Sequence, residues 1–124
     1  MKEVVLVYHL DLKIKEAIEK IMSQLDVDVK EILDDDVHQS IGYLLGISGY
    51  EESEEMFEGK LEKEFVFFAG FSDEQLDLVL EIFKAAEIPY IPYKAMLTPD
   101  NVVYPFYRLY QNVEEEYKQI SRQS

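Results

Sequence analysis

The side chains best placed for chemistry are carboxylates that follow β-rich runs. Asp11 follows Val4–His9 (VVLVYH), and Asp34–Asp36 follow Val27–Ile32 (VDVKEI). Asp73 follows Phe65–Gly70 (FVFFAG), and Asp100 follows Ile88–Leu97 (IPYIPYKAML). Each acid falls in a strand-to-helix turn. In a parallel sheet all four turns would share the carboxyl edge, where open α/β sheets bind ligands. Carboxylates gathered there would offer Mg²⁺ the hard oxygen ligands it needs. The plainer reading has each Asp capping its own helix and facing the positive end of the helix dipole. A second polar group is Lys94 with Thr98-Pro99-Asp100-Asn101. Proline fixes φ, and Asp and Asn bond their own backbone, so a tight turn is expected. Next to Lys94 the same turn could grip a small anion. The candidate ligand-binding residues are therefore Asp11, Asp34, Asp73, Lys94, Thr98, Asp100 and Asn101. No cofactor is expected; Mg²⁺ is the one candidate, and its ligands are unknown.

No catalytic residue is assigned. His9 and His38 are the only histidines, and they read as structural or exposed. There is no HExxH, no Gly-x-Ser-x-Gly elbow and no P-loop. Gly42-Tyr-Leu-Leu-Gly46 is filled with large apolar residues and cannot cradle phosphate. Tyrosine is unevenly spread: Tyr90, Tyr93, Tyr104, Tyr107, Tyr110 and Tyr117 all lie in the last third. Tyrosine offers apolar area with a polar tip, which suits interfaces. Tyr90, Tyr93, Tyr104 and Tyr107 are the candidate contact residues. The plainer alternative puts Tyr107 and Tyr110 in the core and scatters the rest.

Four strands and four helices must position these groups. The first and third β-rich runs are apolar on both alternating faces, as central strands covered on both sides are. Pro89 and Pro92 consign the fourth to a sheet edge, because proline cannot donate to a ladder. Apolar residues at helical spacing mark four helices: Ile14–Leu25, Val37–Leu45, Leu76–Ala86 and Phe106–Ile120. The polar tail Ser121–Ser124 is expected to fray. Ser72-Asp-Glu-Gln75 is a capping box. Asp11 is expected to cap the first helix and one of Asp34–Asp36 the second, with Gly46 stopping it. Ile18, Ile21, Val66, Phe68, Leu80 and Phe83 are the expected core.

The halves resemble each other. An offset of 61 lays Val5 on Val66 and Val7 on Phe68, and a later offset of 64 lays Lys30 on Lys94. Residues 1–46 and 64–121 thus read as pseudo-repeats of one 1–124 domain, joined by an acidic loop at 47–63. Chance likeness between two βαβα units would give a similar pattern. The order βαβαβαβα favours an α/β fold: a four-stranded, mainly parallel sheet, order 2-1-3-4, with helices on both faces. The alternative is a ferredoxin-like α+β plait with added helices.

Composition bounds the function. The 124 residues carry 12 Lys and Arg against 26 Asp and Glu, a net charge of −14. Such a chain neutralises no polyanion, so neither nucleic acid nor an anionic membrane is an expected partner. There is no cysteine, hence no disulfide or thiolate chemistry. Met1–Val7 is too short and too acidic for a signal peptide, so the expected setting is the cytoplasm.

Residues 65–110 add a resemblance. Gly70-Phe71-Ser72-Asp73-Glu74, then Ile88-Pro89 and Ile91-Pro92, then Lys94-Ala95-Met96-Leu97-Thr98-Pro99-Asp100-Asn101 are similar to a bacterial domain-of-unknown-function family numbered 3783. Gly42–Gly46 looks like the leading segment such proteins often have. Tyr104 stands where that family usually has tryptophan. The resemblance implies no activity. A non-catalytic interaction or regulatory module, acting on a protein partner or as a homodimer, is the expected function. A small-ligand or divalent-metal-binding domain using the strand-end acids is the alternative, and an Mg²⁺-dependent hydrolase is least favoured.

Overall fold

The computed structural model describes residues 1–123. The elements are β1 (Val4–Tyr8), α1 (Leu12–Gln24), β2 (Asp28–Ile32), α2 (Ile41–Leu44), β3 (Phe65–Ala69), α3 (Asp73–Ala85), β4 (Tyr93–Met96) and α4 (Phe106–Gln123). They build an α/β fold around one four-stranded sheet of order β2-β1-β3-β4. Every residue of β1 and β3 is buried, because helices cover both faces. On one face Val5, Val7, Val66 and Phe68 pack with Ile18 and Met22 of α1 and Val79 and Phe83 of α3. On the other, Leu6, Tyr8, Phe65 and Phe67 pack with Ile41 of α2 and Phe106, Leu109 and Tyr110 of α4. Among the described residues no helix is long and apolar enough to cross a membrane.

The sheet is mixed. β1 pairs with β2 and β3 with β4 in parallel, but β1 and β3 run antiparallel. The two βαβ crossovers force only the outer pairs to be parallel. The long 33–64 connection leaves the central direction free. The strand-to-helix turns therefore divide between two opposite edges of the sheet, and the shared carboxyl edge expected for the four acids does not form.

Several local expectations need correction. β4 begins at Tyr93, not Ile88, because Pro89 and Pro92 interrupt the ladder donors. The second helix shrinks to one turn, capped by Ser40, whose hydroxyl accepts from Tyr43 N–H at 3.1 Å. Asp34–Asp36 instead form a separate 3-10 turn. Ile21 and Leu80 are only partly buried. α4 runs through Gln123, so Ser121 belongs to it, while Ser124 lies outside the described residues. Ser72 and Gln75 do form both bonds of the capping box. Asp11 accepts from Lys13 N–H at 2.9 Å, and Gly46 turns the chain at φ +74°.

The halves share backbone geometry to a degree their side chains do not show. An offset of 61 takes Leu6 to Phe67, and these two residues face each other across β1 and β3. The operation exchanging the halves is thus a two-fold rotation through that pair. The same offset takes left-handed His9 to left-handed Gly70, and left-handed Asp26 to left-handed Glu87. Asp26 and Glu87 close α1 and α3 with the same bonds: Val27 N–H to Met22 carbonyl, and Ile88 N–H to Phe83 carbonyl. Beyond that point the offset becomes 65, set by Val5 facing Val29 and Val66 facing Lys94. Lys30 therefore corresponds to Ala95 and not to Lys94, a one-residue correction that exchanges sheet faces. Under the new offset the axis passes through a second contact. Ile41 N–H donates to Tyr104 carbonyl at 2.9 Å, and Phe106 N–H donates to Gln39 carbonyl at 3.0 Å.

Two substitutions test this packing. Phe68 is fully buried and its ring meets Phe71 and Phe83, so Phe68→Ala should cost about 3–5 kcal/mol in urea unfolding. Glu87 is exposed in the left-handed region at φ 60°. Glu87→Gly should stabilise the fold by about 0.5–1 kcal/mol, the left-handed strain relieved less the entropy glycine adds to the unfolded chain.

Candidate functional site

At the carboxyl end of β1 and β2 a polar cluster closes a cavity of about 240 Å³, lined in part by Tyr8, His9, Asp34, Phe57 and Leu61. One oxygen of Asp34 accepts from the Tyr8 hydroxyl and meets His9 Nε2 at 2.7 Å. The Tyr8 hydroxyl also reaches Leu61 carbonyl at 3.2 Å, and His9 Nδ1 lies 3.4 Å from Glu62 carbonyl. The His9 ring stacks on Tyr8 with centroids 3.9 Å apart. The Tyr8 hydrogen bond, then His9, holds the Asp34 carboxyl below the usual carboxylate range despite partial desolvation. Burial, reinforced by Asp34, pushes the Tyr8 phenol well above its ordinary value. Both His9 nitrogens are turned to acceptor oxygens, so the cluster fastens the 57–63 loop to the sheet. Sequence reasoning missed Tyr8 and His9 as partners of Asp34. His9 was visible, but the left-handed turn that folds its ring back over Tyr8 was not.

The other sequence candidates scatter. Asp11 caps α1 near the Asp34 edge, while Asp73 and Asp100 lie at the opposite edge and are exposed. Among the described residues no group of three or more His, Cys, Asp or Glu is arranged to hold a metal ion. Thr98 and Asn101 bond each other's backbone: Thr98 N–H to Asn101 Oδ1 at 2.8 Å, and Asn101 N–H to Thr98 Oγ1 at 3.0 Å. Asn101 also donates to Met96 carbonyl at 2.8 Å, which uses its polar groups inside the turn. Of the tyrosines, Tyr93 is buried against Tyr110 and Tyr117, because its place in the β4 alternation points it at α4. Tyr107 stacks on Phe57 and Tyr104 lies under Arg108. Tyr90 is the most exposed of them, at 76%.

Tyr90 and Lys94 meet at an apolar concavity. A cleft of about 600 Å³ lies between α3, the 88–92 segment and β4. Its walls include Phe68, Leu80, Phe83 and Ile91, with Lys84 and Lys94 as its cations. Lys94 lies 4.3 Å from the Tyr90 ring centroid and donates to Ile91 carbonyl. Residues 64–120, which contain the whole cleft, match the family described as Domain of unknown function (DUF3783). Over that segment the chain is similar to this family. No curated protein and no solved structure matches the chain. The DUF3783 segment supplies β3, α3, β4 and most of α4, while the Tyr8–Asp34 cluster stands outside it on the first half.

The Asp34 cluster carries a pH prediction. A carboxylate with a depressed folded pKa gives stability that is present above its unfolded value, about pH 4, and lost as pH falls through the folded pKa. Asp34→Asn should lower the thermal midpoint at neutral pH. It should also flatten the fall of that midpoint on the acid side relative to wild type. Parallel acid limbs for the two proteins would rule out this linkage.

Proposed function

We propose that the chain is a non-catalytic binding module that docks a partner protein in the cleft between α3 and β4. The observation that carries this reading is where the two-fold likeness of the halves breaks. α1 leads into β2 with no residue between Val27 and Asp28, but Pro89, Tyr90, Ile91 and Pro92 stand between the equivalents Ile88 and Tyr93. Three of these extra residues, Pro89, Tyr90 and Ile91, form one side of the cleft. At the matching place in the first half there is a polar hollow of about 250 Å³, lined by Glu19, Ser23, Asp26, Val27, Asp28 and Val29. Leu80 replaces Glu19 and Lys84 replaces Ser23 at offset 61. One scaffold thus carries an acidic hollow on one side and an apolar cleft with two amines on the other.

An apolar cleft of this volume suits an anchoring side chain. β4 is an edge strand whose outer backbone groups have no strand neighbour, which suits an extended segment laid beside it. Like-charge repulsion between copies of a −14 chain favours a different protein over a second copy. The acidic, cysteine-free composition fits a bacterial cytoplasm, without nucleic acid or membrane as partner. Substrate turnover plays no part in this reading.

A neutral apolar fluorophore, N-phenyl-1-naphthylamine, should bind saturably at one site per chain. Leu80 lines the cleft, so Leu80→Glu should weaken that binding about tenfold or more through desolvation of the new carboxylate. Leu12 is exposed away from the cleft, and Leu12→Glu should leave binding unchanged. Equal binding by wild type and Leu80→Glu would remove the cleft as the site.

A further inference from the structure

Lys94 occupies a position built for an apolar side chain. In β4 the residues alternate, so Tyr93 and Ala95 face α4 while Lys94 and Met96 face α3. Its counterpart in the first half is Val29, which faces Val5 as Lys94 faces Val66. An ammonium therefore stands where the sister strand has valine. It is partly buried among Val66, Phe68, Phe83 and Ile91. Burial alone pushes its pKa down, with no acid acting on it. None of the ion pairs among the described residues includes it, although the chain carries 26 carboxylates. An ammonium has three N–H donors. One goes to Ile91 carbonyl, and the Tyr90 ring flanks the group. A partly buried cation without a counter-ion is costly, and a bound anion would relieve that cost.

We propose that Lys94 reads the α-carboxylate of an apolar C-terminal residue of the partner chain, whose side chain fills the cleft. This rests on the reading of the cleft as a docking site. The amine is set into an apolar wall, so the anion must arrive together with an apolar group. A C-terminal Leu or Phe carries both on one Cα. Lys84 lies at the rim of the same cleft, exposed to solvent, and adds positive charge there. The residues before the terminus can run along the free edge of β4. Strand pairing and terminal-carboxylate capture are two known ways of holding a peptide.

The test is an amide-shift NMR titration of the intact chain with acetyl-Leu-Phe as the free acid, acetyl-Leu-Phe amide and decanoate. The free acid should shift the signals of Leu80, Ile91 and Lys94 saturably and bind about tenfold tighter than the amide, the scale of one charge-assisted hydrogen bond. Lys94→Met should bind acid and amide alike. It should also unfold at a higher temperature than wild type, because it restores an apolar residue at the Val29-equivalent position. That gain shows that any lost binding is not lost folding. Acid and amide binding wild type equally would overturn the carboxylate while leaving the docking cleft intact. Decanoate binding without either dipeptide would overturn the polypeptide terminus in favour of a small amphiphile. Binding by no probe, N-phenyl-1-naphthylamine included, would overturn the cleft itself.

Discussion

The antiparallel contact of β1 and β3, centred on Leu6 facing Phe67, governs the rest of this molecule. It joins two βαβ units, neither of which can bury its own sheet. Each unit alone would present one strand with both faces apolar and a long helix on only one of them. Paired, they make a four-stranded sheet wide enough to support helices on both sides. The direction of this contact also decides where chemistry can gather. An antiparallel centre sends the turns after β1 and β2 to one edge and those after β3 and β4 to the other, so acids equivalent in sequence become opposite in space.

Strand order, helix faces and the capping box were legible in the sequence because they rest on local periodicity and short-range bonds. Val4–Tyr8 and Phe65–Ala69 are continuous apolar runs, and such runs sit in sheet centres whatever their direction. Direction was not legible, since residues 33–64 can close either way. The tyrosines were legible as unusual and misleading as a group. Tyr93 faces Tyr110 because of its register, and register depended on where the ladder restarts after Pro92. The same uncertainty placed Lys94 opposite Lys30, one residue from its true partner Val29. A one-residue slip reverses the face, and with it the difference between a surface lysine and one set into the core wall.

The acidic loop is tied down by side-chain contacts, polar and apolar, and not by secondary structure. Gln39, almost fully buried, bonds Ser53 through both its amide oxygen and its amide nitrogen. Tyr8 and His9 reach Leu61 and Glu62, and Phe57 stacks on Tyr107. Tyr110 accepts from Lys63 N–H at 2.8 Å. The loop therefore spans the α2–α4 face, and the sheet lies between it and the cleft. His9 supplies one of these ties from a left-handed position that glycine holds in the other half. The strain of that conformation for a side-chain-bearing residue is offset by the Asp34 contact it permits.

The two halves show how one scaffold acquires two different surfaces. Where backbone geometry is held in common, the shared parts are those that make the fold: the left-handed caps, the crossed bonds at Ser40 and Pro105, and the buried centres of β1 and β3. Where it departs, four residues ending in Pro92 delay the start of β4 and open a hollow beside α3. A hollow alone needs only apolar walls, and Phe68, Leu80, Phe83 and Ile91 supply them. Lys94 is the residue those walls do not require. Valine serves the same position in β2, and valine there would pack the cleft floor without a desolvated charge. Stability alone gives no reason for an amine at that place, whereas an anion brought in by an apolar group does.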